Sequence, residues 1–131
     1  MATAAQFFVD TSVLIAHLRQ QQPTVFTKAR TVYGTPSVSD AVVFELEVGA
    51  RRAGRQFDFH SHFANIQTFP LSQDILIEAA ILQANLLQSN QVIGLIDTFV
   101  AATALYHKLP LFTLNFKHFQ RVAGLTLLTI P

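Results

Sequence analysis

Phe7-Phe8-Val9-Asp10-Thr11-Ser12-Val13-Leu14-Ile15-Ala16-His17-Leu18-Arg19 is the stretch whose reading decides the fold. Its first three residues form a short apolar run, as in a strand buried on both faces. The run stops at three residues that favour helix N-termini, and apolar residues then recur at helical spacing through Arg19. The segment predicts strand, tight turn, helix. The same alternation continues outward. Pro23 opens a second helix that fades near Tyr33 and Gly34. Residues 35–38 read as a strand, and Ser39 or Asp40 caps a helix running to about Ala53 and Gly54. Residues 57–67 are expected to be helical and 68–71 to form a strand. Ser72 and Asp74 start a helix through Leu87, Ile93 and Gly94 break the chain, and residues 95–108 form another helix. Residues 110–114 read as a strand, a short helix starts at Phe116, and residues 125–130 make the last strand.

Strands alternating with helices imply a short, mainly parallel sheet covered by helices on both faces, an α/β/α arrangement. Ligands of such sheets sit beyond the carboxyl ends of the strands. Asp10 and Asn115 each follow a strand in this reading, which gives the first functional clue.

The 131 residues contain no linker, repeat or low-complexity segment, so residues 1–131 are expected to be one domain. Half are apolar and 13% are charged, against about 25% charged in an ordinary domain. That surplus of apolar surface calls for a protein partner, a second copy or both. A membrane span is not expected, because every apolar stretch is interrupted well short of about 20 residues. The N-terminus lacks the basic start and apolar run of a signal peptide, and a cytoplasmic location is expected. With no cysteine, disulfides, thiolate metal sites and a cysteine nucleophile are excluded. A net charge of +1 neither requires nor forbids nucleic acid; the basic residues cluster at Arg51, Arg52, Arg55 and at Lys117, His118, Arg121.

Eight acidic residues can be weighed one by one. Asp40, Asp58 and Asp74 fall at helix starts, where capping and the helix dipole explain them. Glu78 faces solvent on its helix. Glu47 has Arg51 four residues later, an ordinary exposed pair. Glu45 instead has Ala41 and Gly49 one turn before and after it, which leaves room beside its carboxylate. Either a bound ion or close helix packing at Gly49 would use that room. Asp97 has Ala101 and Ala104 on its own face, either a site with a small-residue strip behind it or a first-turn acid on a packed helix. Asp10 can cap its helix, yet Thr11 and Ser12 could do so equally well and free the carboxylate for the crevice. Asn115 can be a plain turn residue. Together these groups make a set of oxygen ligands of the kind that Mg²⁺ or Mn²⁺ takes.

Four segments taken in order, FFVDTSVLIAHL, SVSDAVVFELEVGA, IGLIDTFVAATAL and LPLFTLNFKHFQRVAGLTL, resemble the PIN-domain family, specifically the VapC-type toxins of toxin–antitoxin pairs. The resemblance covers the beginning, middle and end of the chain. It implies a PIN-like three-layer α/β/α sandwich, with an acidic cluster at Asp10, Glu45 and Asp97 and a fourth position at Asn115. It further implies a Mg²⁺- or Mn²⁺-dependent endoribonuclease acting on RNA such as tRNA, a homodimer, and inhibition by a cognate VapB-type antitoxin. Many members carry Asp where this chain has Asn115, so a single tightly held ion is expected. The rival reading is a PIN-like module that binds RNA or protein without cleaving.

Other chemistries fit less well. His60 and His62 lie on different helix faces with no third zinc ligand, and His17 and His107 read as partly buried packing residues. His118 lies near Asn115 and reads as a surface residue within reach of RNA. A haloacid-dehalogenase-type phosphatase needs a second Asp where Ser12 stands. No glycine-rich phosphate loop follows the first strand.

Overall fold

The computed structural model describes residues 4–20 and 24–129. The first strand, β1 (Phe7–Val9), leads into α1 (Thr11–Arg19), followed by α2 (Val25–Tyr33), β2 (Pro36–Ser39) and α3 (Asp40–Arg52). A single turn, α4 (Phe59–His62), precedes β3 (Gln67–Phe69) and two long helices, α5 (Gln73–Gln88) and α6 (Leu95–His107). The chain closes with β4 (Leu111–Phe112), α7 (Phe116–Phe119) and β5 (Leu127–Leu128).

All five strands are parallel and lie in the order β3-β2-β1-β4-β5. The expected α/β/α sandwich with a short parallel sheet is what forms. Phe7, Phe8, Val9, Leu111 and Phe112 are all buried, as strands covered on both faces require. Phe8 packs edge-on against Phe69, and His107 closes over both rings. Small residues Ala101, Ala102 and Ala104 are buried along α6, which packs against α5, α3 and β2. The strip beside Asp97 thus brings α6 close to its neighbours.

Strand order positions the site. From β1 the chain builds outward through β2 and β3, then crosses back to place β4 on the other side of β1. The order reverses between β1 and β4, and in open parallel sheets that is where a crevice opens beyond the strand ends. Asp10 and Thr113 are the first residues past those two ends.

Several expectations are corrected. The helix expected over residues 57–67 is one turn, because Phe63 is needed in an aromatic cluster with Phe26, Phe59 and His17. The chain turns at Ala64 and Asn65 and enters β3. The strand expected over 110–114 stops at Phe112, since Leu114 N–H donates to the Ser12 hydroxyl and not to a neighbouring strand. The last strand, expected over 125–130, is confined to Leu127–Leu128 among the described residues. Ser39, not Asp40, caps α3 through a bond from Ala41 N–H. Pro23 lies outside the described residues; α2 is capped by Thr24.

Candidate metal-binding site

Asp10 sits in extended backbone at the N-cap of α1 and is 3% exposed. Its Oδ1 accepts the Ser12 hydroxyl at 2.6 Å and, over a longer 3.4 Å, the Val13 N–H. Its Oδ2 accepts the Thr113 hydroxyl at 2.6 Å. The carboxylate is therefore not relieved of capping, as the sequence suggested. Thr11 and Ser12 already belong to the helix, and only Asp10 has the backbone a cap needs. Ser12 and Thr113 act as paired braces. The Ser12 hydroxyl donates to Asp10 and accepts from Leu114 N–H at 3.2 Å; the Thr113 hydroxyl donates to Asp10 and accepts from Asn115 N–H at 2.8 Å. The loops after β1 and β4 are thus tied together through one carboxylate.

Burial pushes the Asp10 carboxyl above its ordinary value; the Ser12 and Thr113 hydroxyls and the Val13 N–H oppose this, and the nearby Asp97 charge adds to the rise. Asp97 reaches the crevice from the first turn of α6, whose N-cap Gly94 supplies no side-chain bond. The positive end of the α6 dipole favours a carboxylate there. Asn115 Nδ2–H donates to His118 Nδ1 at 2.8 Å, and the same ring nitrogen lies 3.5 Å from Asp97 Oδ2. Asp10, Asp97 and Asn115, distant in sequence, therefore gather at one strand-end crevice.

Glu45 stands apart. It is half-buried on α3 and has no hydrogen bond or ion pair among the described residues. It lines a groove of about 440 Å³ with Ile15, Leu18, Arg19, Arg55 and Phe57. A side chain at Gly49 would meet nothing within 4 Å, so the space beside Glu45 is open and not taken up by helix packing. Glu47 pairs with Arg51 at 2.8 Å as expected. Among the described residues no three His, Asp or Glu side chains are grouped so as to hold an ion by themselves. The arrangement is two neighbouring carboxylates, one of them buried, with hydroxyl and amide groups around them. That set of hard oxygen donors matches a divalent cation better than any soft metal. A cation would also relieve the repulsion that Asp97 exerts on Asp10.

Thr113 is the site residue that sequence reasoning missed, while His118, read as a surface residue near Asn115, bonds that residue's amide. The strand expected over 110–114 absorbs Thr113, and no local signal marks it as a partner of Asp10. His118 was readable as one turn from Asn115. Arg121, of the basic cluster with Lys117 and His118, donates to the Val92 carbonyl at 2.9 Å. His17 bonds the Thr24 hydroxyl at 2.6 Å within the aromatic cluster, as a packing residue should.

A family profile described as the PIN domain matches residues 7–125. The chain belongs to the PIN-domain family. Its VapC-type character is shared with Ribonuclease VapC of Rickettsia bellii (strain RML369-C), 32% identical over 94% of this chain and 95% of that protein. Among solved structures, this PIN domain resembles VapBC2 from Rickettsia felis bound to a promoter DNA fragment. The TM-score is 0.80 at 20% identity, over 93% of this chain and 96% of that one. DNA-bound VapBC from Salmonella typhimurium is similar at TM-score 0.79 and 17% identity, over 95% and 98%. At such identities the structural likeness speaks for the fold alone.

Proposed function

We propose that this PIN domain is a metal-dependent endoribonuclease, the toxin of a toxin–antitoxin pair. The observation that carries the reading is the Asp10–Asp97 carboxylate pair at the reversal of strand order, braced by Ser12 and Thr113. Its relative's name, Ribonuclease VapC, supports RNA as the substrate class. Asp10 and Asp97 would hold Mg²⁺ or Mn²⁺, with Glu45 entering from α3 and Asn115 offering its amide oxygen. When bound, the ion supplies activation of water and neutralisation of charge on the scissile phosphate. The protein's own share is positional. Ser12 and Thr113 hold both Asp10 oxygens in place, and the α6 N-terminus steadies Asp97. Arg19 and Arg55, in the groove beside Glu45, are suited to guide the RNA backbone. Structured RNA such as tRNA is the proposed target.

A VapB-type antitoxin is the proposed protein partner, in keeping with the VapBC assemblies that share this fold. Exposed apolar residues including Phe44, Ile77, Ile81 and Leu87 fit a homodimer or such a partner. No helix among the described residues is long and apolar enough to cross a membrane, and a cytoplasmic location is proposed.

The test is cleavage of total RNA by purified protein with Mg²⁺ or Mn²⁺, against chelator and against Asp10→Asn. Metal-dependent fragments lost in the variant are expected. Binding of RNA with no cleavage under any metal would support a non-cleaving RNA-binding module instead.

A further inference from the structure

Asn115 occupies a position where a carboxylate offers two equivalent oxygens, whereas an amide offers one oxygen and one N–H donor group. Which of the two faces the carboxylates decides whether Asn115 helps or hinders a cation. Asn115 Nδ2–H donates to His118 Nδ1 at 2.8 Å, and its Oδ1 has no hydrogen-bond partner among the described residues. An imidazole nitrogen that accepts a hydrogen bond carries no proton, so the ring proton lies on Nε2. The same Nδ1 then cannot donate to Asp97, which agrees with the longer 3.5 Å separation. An ion pair between His118 and Asp97 and the amide bond to Asn115 exclude each other, and the shorter contact is the amide's.

Resting on the ribonuclease reading, we propose that His118 is the positioning residue that turns the Asn115 amide, holding its nitrogen so that the oxygen stays free for a divalent cation. His118 itself touches neither substrate nor ion. Its side chain is half-exposed on the single turn α7, so its replacement leaves the core intact.

Two measurements test this. Long-range ¹H–¹⁵N NMR of the metal-free protein reads the His118 tautomer directly. An Nδ1 without a proton is expected, and a proton on Nδ1 in any form of the ring overturns the proposal, because the amide oxygen would then be the group facing the ring. This readout decides the matter whether or not the protein cleaves RNA. The second is a double-mutant cycle scored by Mn²⁺ affinity and by RNA cleavage. His118→Leu should weaken Mn²⁺ binding by about tenfold or more, the usual effect of losing a residue that orients a ligand. His118→Asn, whose side-chain oxygen falls where Nδ1 lies, should recover most of it. In an Asn115→Asp background His118→Leu should cost little further. An equal loss in both backgrounds shows a merely structural role and overturns the proposal.

Discussion

Asp10 and Thr113, 103 residues apart, are joined by a 2.6 Å hydrogen bond from the threonine hydroxyl to the carboxylate's Oδ2. The same hydroxyl accepts from Asn115 N–H, so one oxygen braces both sides of the crevice. Thr113→Val keeps the shape but leaves a buried carboxylate oxygen and an N–H short of partners. A loss of about 1–3 kcal/mol is expected, read as a lower urea midpoint with an unchanged slope. Thr113→Ser should restore most of it. A valine variant as stable as the wild type would show that the bond contributes nothing.

Burial, with Asp97 adding and the Ser12, Thr113 and Val13 donors opposing, raises the Asp10 carboxyl. Folding then favours a proton on Asp10. The stability linked to that proton is fully present below the ordinary value of 3.8 and is lost as pH rises through the raised folded value. Asp10→Asn cannot ionise. In chelator, the variant's urea midpoint should therefore gain on the wild type as pH rises through the acid range, then run parallel near neutrality. A gain in the opposite direction would mean that the hydroxyl bonds outweigh burial.

Adding a divalent cation should reverse that penalty. At a concentration of 100 times Kd, one ion bound only to the folded state stabilises by about 2.7 kcal/mol. Thermal midpoints of the wild type are expected to rise with Mn²⁺ and fall back with chelator. Asp10→Asn and Asp97→Asn should lose most of the rise. A rise retained in both variants would place the ion elsewhere.

Glu45 and Glu47 share α3 and separate the two roles a surface acid can take. Glu45→Gln removes a half-buried carboxylate with no bonding partner among the described residues, so RNA cleavage should fall sharply while the urea midpoint stays put. Glu47→Gln breaks an exposed pair with Arg51, worth about 0.3–0.5 kcal/mol at most, and should leave cleavage unchanged. Equal activity in the two variants would remove Glu45 from the site.

How much of this was legible follows from where the signal resides. Residues 7–19 carry their own boundaries, an apolar run and then a helical period, and they fold as read. Long periodic stretches such as α5 and α6 were equally plain. Residues 57–67 were not, because Phe63 answers to Phe26 and His17 across the fold and not to a local period. The convergence of Asp10, Asp97 and Asn115 could be inferred from strand ends, helix starts and family resemblance. The braces could not: Thr113 beside Asp10 is a pairing that only the strand order creates. His118 looked like surface because nothing local distinguishes a histidine facing solvent from one facing an amide.

The most direct test is a crystal soaked in Mn²⁺ and examined by anomalous scattering. A single strong peak within coordination distance of both Asp10 and Asp97, with the Asn115 oxygen toward it, is expected. A peak remote from both carboxylates in a protein that still cleaves RNA would contradict the assignment of this crevice as the catalytic site.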